Sequence, residues 1–260
     1  MTRGLWTRET VALLTLAALL PLAVFWLWLG GAEALFKVAL ALRVVAIWHR
    51  VFRLSRAQPP SLSALVTALA IAMLAPEELG IFQLTLGISF GVVMGELVFG
   101  GWGRNVVNPA TVALAFIGFG FPAAPWPDFN APLVWAAIPA ALLGLAIGVM
   151  PAALIVVATL LGAIAFATGT VSDPVLHAAG IALVLLVADP VTSAGTTLGR
   201  CLQGSLYAAL VLLFGSAWLG AAPAQIAVAA ALLASLAAPL FDDIALSLWV
   251  HRRRRLHGRT

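Results

Sequence analysis

One stretch of the sequence combines glycines, amides and a cation at spacings that suit the binding of an anion. This first polar stretch, residues 99–116, reads FGGWGRNVVNPATVALAF, and its glycines allow tight backbone turns. Asn108 followed by Pro109 predicts a helix start, because Asn is a good N-cap and Pro suits the first helical position. Free N–H groups at that helix end, together with Arg104, would suit an anion, a phosphate or an electron-rich ring edge. The candidate binding residues are Gly100, Gly101, Gly103, Arg104, Asn105, Asn108, Pro109 and Thr111.

A second polar stretch, residues 188–200, reads ADPVTSAGTTLGR and places a carboxylate and hydroxyls around a proline. Such groups at a helix break coordinate a cation or satisfy the freed backbone groups, and both interpretations stay open here. The candidate ion-pathway residues of this stretch are Asp189, Thr192, Ser193, Thr196 and Thr197.

Glu96 is a further candidate for the ion pathway, because it is the one acidic residue of an apolar segment, residues 81–99. It would act as a cation or proton ligand, paired with Arg104. The alternative is that its side chain extends from the helix end to the membrane interface.

The composition indicates that these residues lie in an integral membrane protein. Of the 260 residues, 63% are hydrophobic and 9% are charged, whereas a soluble domain carries roughly 25% charge. At roughly 20 residues per crossing, the chain has room for about ten crossings in a single membrane domain, residues 1–260. The predicted segments are 11–30, 32–50, 62–75, 81–99, 107–121, 131–149, 151–168, 175–188, 200–219 and 222–248.

The positive charges predict that both termini are cytoplasmic, with a basic tail at residues 249–260. If the segments alternate, the cytoplasmic ends collect twelve of the 14 Lys and Arg residues, which fits the positive-inside rule. These twelve are Arg3, Arg8, Arg50, Arg53, Arg56, Arg104, Arg200, Arg252, Arg253, Arg254, Arg255 and Arg259.

The remaining two basic residues, Lys37 and Arg43, lie inside the second segment. We expect Lys37 to pair with Glu33 at i,i+4 and Arg43 to face protein rather than lipid. The alternative for this segment is an amphipathic helix on the membrane surface.

An internal repeat is predicted from two short segments, 62–75 and 175–188, that end at Ala75-Pro76 and at Asp189-Pro190. Each is followed by a polar turn containing glycine and by a longer apolar helix. Five segments precede the central loop and five follow it, so the second half would be inverted relative to the first, as in transporter cores. The repeats are residues 11–121 and 131–248.

Several function classes are excluded or disfavoured by missing residues. The single cysteine, Cys201, excludes an intrachain disulfide and a four-cysteine iron–sulfur cluster. No histidine pair has the spacing for haem or metal, and the sequence contains no phosphate-binding loop or dinucleotide fingerprint. Because the basic residues flank apolar segments, they indicate topology rather than nucleic-acid binding. We predict no catalytic residue and no metal site.

Four segments of the sequence resemble the NqrB/RnfD family, the membrane subunits of sodium-pumping NADH:quinone oxidoreductase and of the Rnf ferredoxin:NAD complex. GGWGRNVVNPA is similar to the family pattern GG-x-G-x-N-x-x-NPA, and ADPVTSAGTTLGR is similar to its second signature. SALVTALAIAMLAP and LASLAAPLFDDIALSLWVHRRRR also resemble family helices, so that the resemblance covers about residues 60–255.

The resemblance implies an all-α fold of ten helices in a 5+5 inverted repeat within the bacterial inner membrane. It also implies a role in passing electrons through flavin, with other membrane and redox subunits as partners and with coupling to cation movement. A noncovalent flavin, riboflavin or FMN, would occupy the first polar stretch. On its own the chain would be at most a subunit of an oxidoreductase.

Two departures from the family pattern stand out. Family members with covalent FMN attach it to the last Thr of a D-x-x-S/T-G/S-A-T pattern, but the corresponding residues 121–135 contain neither Ser nor Thr. We therefore predict no covalent FMN. In addition, family sequences tend to carry Lys near the position of Glu96, before the FGG, where this chain reads Met94-Gly95-Glu96. These departures keep a second hypothesis open, that of a small-solute, flavin or cation transporter with the same inverted-repeat fold.

Overall fold

The chain folds into α-helices with short connections. A computed structural model describes residues 7–56, 61–129 and 131–257, with side chains described as far as residue 253. No β-strand occurs within these ranges, so the predicted all-helical class is confirmed. Arg3 and the side chains of Arg254, Arg255 and Arg259 lie outside the described part. The α-helices are α1 (Arg8–Arg56), α2 (Ser63–Leu74), α3 (Ile81–Val92), α4 (Pro109–Gly120), α5 (Ala131–Ile147), α6 (Ala152–Thr168), α7 (Asp173–Ala182), α8 (Thr197–Ala217), α9 (Pro223–Leu236) and α10 (Ala238–His257), and two π-helical turns, π1 (Val93–Leu97) and π2 (Leu183–Val187), extend α3 and α7.

Helix α1 is a hairpin of two helices that meet at Gly31. Its 49 residues would span about 74 Å if straight, yet the Glu9 carboxylate accepts a hydrogen bond from the Leu62 backbone N–H at 2.9 Å. Because only a few residues separate Arg56 from Leu62, both ends of α1 lie at the same end of the molecule. Gly31 makes the reversal with φ 52° and ψ −132°, a conformation that glycine adopts readily.

The helices differ in whether they are long enough to cross a membrane. By length and composition, α1 and α8 qualify on their own, and α9 with α10 qualifies as one span bent by 40°. The predicted segment 222–248 is thus broken at Ala237. The other apolar helices have 10–17 residues, shorter than the roughly 20 residues of a full crossing.

Small residues allow the helices to approach closely. A Cβ atom added to Gly91 of α3 would lie 2.6 Å from the backbone nitrogen of Ala113 in α4. A Cβ atom added to Gly204 of α8 would lie 2.6 Å from the carbonyl oxygen of Leu154 in α6. Such contacts are typical of helix packing in membranes, where backbone proximity increases van der Waals attraction.

Some helix contacts of the first half recur in the second half. Helix α3 packs against α4 and α1, and α8 packs against α9 and α6. Helix α2 also packs against α4, as α7 packs against α9. The predicted breaks after α2 and α7 occur at Ala75-Pro76 and at Asp189-Pro190, where the described backbone leaves the helical conformation.

The two basic residues inside α1 have different environments. Lys37 forms the predicted i,i+4 ion pair with Glu33, with the Nζ and Oε1 atoms 3.2 Å apart. Arg43, in contrast, is exposed, so the prediction that it faces protein is wrong for this single chain. The buried side of this half of α1 is formed by Ala41, Val44 and Val45, which belong to the same hydrophobic core as the first half.

Candidate functional site

Each polar stretch begins where a π-helical turn ends. Turn π1 contains Glu96 and leads into the glycines of the first stretch, whereas π2 ends at Val187, two residues before Asp189. A π-turn inserts an extra residue into the helical repeat and is frequent at functional sites. The two turns deliver both carboxylates to the same end of the molecule.

The glycines of the first polar stretch adopt positive φ angles, which are consistent with the tight turns expected of them. The φ angles of Gly100, Gly101 and Gly103 are 106°, 90° and 92°. The Gly101 N–H donates to the Glu96 carbonyl oxygen at 3.1 Å and closes the end of π1. Arg104 is exposed and folds over Gly100, where an added Cβ atom would lie 3.1 Å from its Nη1 atom.

The two asparagines of this stretch have different roles. Asn105 braces the loop, because its Oδ1 accepts from the Gly103 N–H at 3.1 Å and its Nδ2 donates to the Val107 carbonyl at 3.4 Å. Asn108 is the predicted N-cap of α4, and its Oδ1 accepts from the Ala110 N–H at 2.9 Å, with Pro109 as the first helical residue. These bonds satisfy backbone donors that a helix start leaves free.

A hydrogen bond joins the two breaks. Asn108 Nδ2 donates to Asp189 Oδ2 at 3.4 Å across 81 residues of sequence. Asp189 Oδ2 also accepts from the Thr192 hydroxyl at 2.9 Å, and its Oδ1 accepts from the Val191 N–H at 3.3 Å. Asp189 therefore holds its own loop together and ties it to the start of α4.

Glu96 is fully buried, so the interpretation in which its side chain extends to the interface is wrong. Neither carboxylate oxygen has a hydrogen bond, although the Ser63 hydroxyl and the Trp102 backbone N–H lie beside it. His49 Nε2 lies 3.7 Å from Glu96 Oε1 and is likewise without a hydrogen bond. No ion pair between Glu96 and Arg104 occurs in the described part of the chain, because the Arg104 side chain folds over Gly100 instead.

These residues form one group, the polar cluster, which consists of Glu96, His49, Ser63, Asn108, Asp189 and Thr192. Ser63 lies beside Glu96 and also faces Asn108 and Asp189. A cavity of about 20 Å³ lies between Ser63, Asn108 and Asp189. That volume is enough for one water-sized species. Among the described residues, no three His, Cys, Asp or Glu side chains are grouped to hold a metal ion.

A larger cavity of about 400 Å³ opens next to the polar cluster. It is lined by Trp102 and Gly103 of the first polar stretch, by Ser193 and Arg200 of the second, and by Arg8 of α1. Its volume falls in the usual range of small-molecule sites, about 300–1,000 Å³. Two guanidinium groups and an indole ring in one cavity suit a planar aromatic ligand that bears a negative charge.

Three other candidate residues, Thr196, Thr197 and Thr111, belong neither to the polar cluster nor to the lining of the larger cavity. Thr196 caps α8 by accepting from the Gly199 N–H at 3.0 Å, and its hydroxyl donates to Asp242 Oδ1 at 2.6 Å. Thr197 is the exposed first residue of α8, and Thr111 is fully buried with a hydroxyl that has no hydrogen-bond partner. Thr196 thus has a capping role.

Five residues at or beside the site are absent from the sequence-based candidates: His49, Ser63, Trp102, Arg8 and Asp242. His49 is 47 positions from Glu96, and nothing in the local pattern around it indicates a carboxylate neighbour. The sequence identifies Arg8 only as one of the positive charges that indicate the cytoplasmic side. The Asp242 carboxylate accepts from the backbone N–H groups of Gly195 at 2.7 Å and Thr196 at 2.8 Å, an arrangement that depends on tertiary packing.

Comparison with known proteins gives consistent matches. The model of the NQR2, RnfD, RnfE family matches residues 3–185, more than half of the chain. The B subunit of the Na(+)-translocating NADH-quinone reductase of Yersinia pestis is 38% identical over 107 residues, which cover 41% of this chain and 25% of that protein. Its counterpart in Stutzerimonas stutzeri (strain A1501) is 36% identical over 109 residues, 42% of this chain and 26% of that protein.

The counterpart in Klebsiella pneumoniae (strain 342) is 35% identical over 115 residues, 43% of this chain and 27% of that protein. The matched segments therefore span about a quarter of the length of these curated relatives. The family match begins earlier in the chain than the resemblance noted above and ends before the second polar stretch.

Proposed function

Because the chain belongs to the NQR2, RnfD, RnfE family, we propose that it is a membrane component of a flavin-linked electron-transfer complex coupled to cation movement. The relatives named above are subunits of Na(+)-translocating NADH-quinone reductases. The observation that carries the proposal is the bond between Asn108 and Asp189, which joins the two polar stretches into one site. Function resides in such sites rather than in the fold itself.

The proposed architecture is one membrane domain in a 5+5 inverted repeat, with both termini on the cytoplasmic side of a bacterial inner membrane. Two observations support it. The pairs α3–α4 and α2–α4 recur as α8–α9 and α7–α9 in the second half. Arg8 and Arg200 line the same cavity, so positive charges from two distant segments gather at one end.

We place a noncovalent flavin in the 400 Å³ cavity. Trp102 would contact the flavin ring, and Arg8 and Arg200 would neutralise a phosphate or an electron-rich ring edge. A bound flavin supplies one- and two-electron chemistry, while the chain's own residues bind and orient it. The positive-φ backbone at Gly103 allows the ligand to approach the main chain closely.

The cation pathway would pass through the polar cluster. Glu96 offers two carboxylate oxygens without hydrogen bonds, and the 20 Å³ cavity beside Asp189 accommodates one small species. A buried carboxylate without hydrogen bonds is costly, so a cation or a proton at Glu96 would stabilise it. Electron donors and acceptors would be bound by partner subunits.

Purification in detergent followed by an absorption spectrum tests the proposal. We expect about one flavin per chain, released by denaturation, and at least a tenfold loss of flavin in Trp102→Leu. The matched control is Trp135→Leu, since Trp135 is exposed near the start of α5, whereas the cavity is lined by residues that follow the end of that helix. A denaturing gel should show no fluorescent band, and a fluorescent polypeptide would contradict noncovalent binding.

The second candidate function is a cation or small-solute transporter without electron transfer. The buried Glu96 favours it, because a carboxylate without hydrogen bonds needs a cation or a proton but no flavin. A colourless purified protein that takes up cations or solutes in proteoliposomes would select this function over the first.

A further inference from the structure

Arg43 is a charged residue of an apolar helix, and its side chain has no partner in the described part of this chain. Its side chain is exposed, and no ion pair or hydrogen bond to it occurs among the described residues. Lys37, six positions earlier, differs because Glu33 neutralises it at 3.2 Å and its side chain is only 13% exposed. The same helix thus neutralises the charge of Lys37 by an ion pair and leaves the charge of Arg43 unpaired.

Arg43 lies far from both ends of its half of α1. It comes 12 positions after the reversal at Gly31 and 13 positions before Arg56, about 18 Å and 20 Å along the axis. The hydrocarbon core of a bilayer is about 30 Å thick, so Arg43 falls near its middle if this helix crosses the membrane. A charge at that depth is costly against lipid, and such residues usually pair with another group.

The helix surface around Arg43 would allow another helix to approach closely. Ala39 and Ala46, one turn before and one turn after Arg43, are both exposed. Phe36 and Ile47 continue this face and are 53% and 58% exposed. Small residues beside a polar residue are typical of interfaces between membrane helices, where close contact and interhelical bonds provide the attraction.

We infer that this face of α1, centred on Arg43 and flanked by Ala39 and Ala46, docks a membrane-spanning helix of a different protein that presents an Asp or Glu carboxylate at the same depth. Charge complementarity identifies this occupant, because one carboxylate would neutralise the guanidinium through paired hydrogen bonds. The inference goes beyond the proposed function, since it requires a membrane complex but neither flavin nor ion movement.

A second copy of this chain fits the face less well. Two exposed carboxylates of the described helices lie at other depths: Glu33 pairs with Lys37 ten positions before Arg43, and Asp243 adjoins Asp242, which binds Gly195 and Thr196 at the polar-cluster end. Arg43 lies six positions from His49, about 9 Å deeper than the level of Glu96. In two copies inserted in the same direction, Asp243 and Arg43 would therefore be at different depths.

In-cell photo-crosslinking of the full chain, expressed with its neighbouring genes, tests the inference. The crosslinker p-benzoylphenylalanine would stand in place of Ala46, and in place of Leu160, which is 59% exposed on α6, as the control. We expect an adduct from position 46 to one other membrane protein, mapped by mass spectrometry to a helix containing Asp or Glu. Position 160 should give lipid adducts only.

Charge reversal provides the decisive comparison. Arg43→Glu should reduce the yield of the adduct at least tenfold. Replacement of the partner's carboxylate by Lys in the same cells should restore the yield. The control Arg50→Leu, at the helix end, should leave it unchanged. The melting temperature of the isolated chain should be the same for Arg43→Leu and for the wild type. This comparison separates an effect on docking from an effect on folding. Adducts only to lipid or to a second copy, or an adduct that persists in Arg43→Glu, would overturn the inference. The absorption spectrum of bound flavin should not change in either case, so this test is separate from that of the proposed function.

Discussion

The carboxylate of Glu96 is the least compensated polar group of the site, and this makes its substitution informative. Glu96→Gln removes a buried charge that has no hydrogen bond, so we expect the melting temperature to stay equal or rise. Cation uptake by the reconstituted complex should fall at least tenfold, because the amide offers no charge for a cation. Sodium and proton uptake into proteoliposomes would measure this.

Glu78→Gln is the matched control for that experiment, because Glu78 is exposed on the loop after α2. Uptake by this variant should equal that of the wild type. If Glu96→Gln also transports at the wild-type rate, Glu96 is not part of a cation pathway.

The sequence predicted the local roles of the site residues better than their partners. The N-cap at Asn108 and the glycine turns depend on a few adjacent positions, and the structure has them as predicted. The neighbour of Glu96 was expected to be Arg104, eight positions away, but the structure brings His49 there from another helix. Local spacing contains no information about which distant helix packs alongside.

The contact of α3 with α4 depends on Gly91, and an alanine there should disturb it. The added methyl group would lie 2.6 Å from the Ala113 backbone nitrogen, which cannot move without displacing α4. We expect Gly91→Ala to lower the free energy of unfolding by about 1–3 kcal/mol. Gly162→Ala on α6, where an added Cβ meets nothing within 4 Å, should be neutral or slightly stabilising. Equal unfolding curves in detergent for both variants would contradict this packing.

The junction between α10 and the start of α8 depends on Asp242. Its carboxylate accepts two backbone N–H bonds and one hydroxyl bond from Gly195 and Thr196, so Asp242→Ala replaces three bonds to a charged group by bonds to solvent. We expect a loss of about 1–3 kcal/mol in the free energy of unfolding. Asp243→Ala is the control, since the neighbouring Asp243 is exposed. A melting temperature that does not differ between the two variants would rule out this capping role.

Apolar periodicity and proline predicted the helices closely but not their irregularities. Segments 62–75 and 107–121 correspond to Ser63–Leu74 and Pro109–Gly120, since turn residues bound them. The bend at Ala237 is followed by Pro239, and π1 contains Gly95 and Glu96, but the sequence pattern did not assign a break to these residues. Such features depend on packing against neighbouring helices, which the order of apolar and polar residues along the chain does not specify.

At the scale of the whole molecule, charge connects topology with assembly. Arg8, Arg200 and the loop containing Gly103 gather around one cavity, as expected if all three lie on the cytoplasmic side. Arg43 is the exception, and the proposed partner helix explains it without a change of orientation. The sequence predicted a charge within the bilayer at this position but not that it would point out of the chain.

Sidedness of the two polar stretches tests the central claim most directly, because the proposed site exists only if both lie on one side of the membrane. In a Cys201→Ser background, Arg104→Cys and Thr197→Cys provide exposed thiols in the two stretches, and Glu78→Cys provides one at the opposite end. A membrane-impermeant maleimide should label only Glu78→Cys in cells with a permeabilised outer membrane, and only the other two in inverted inner-membrane vesicles. Labelling of positions 104 and 197 from opposite sides would contradict the account.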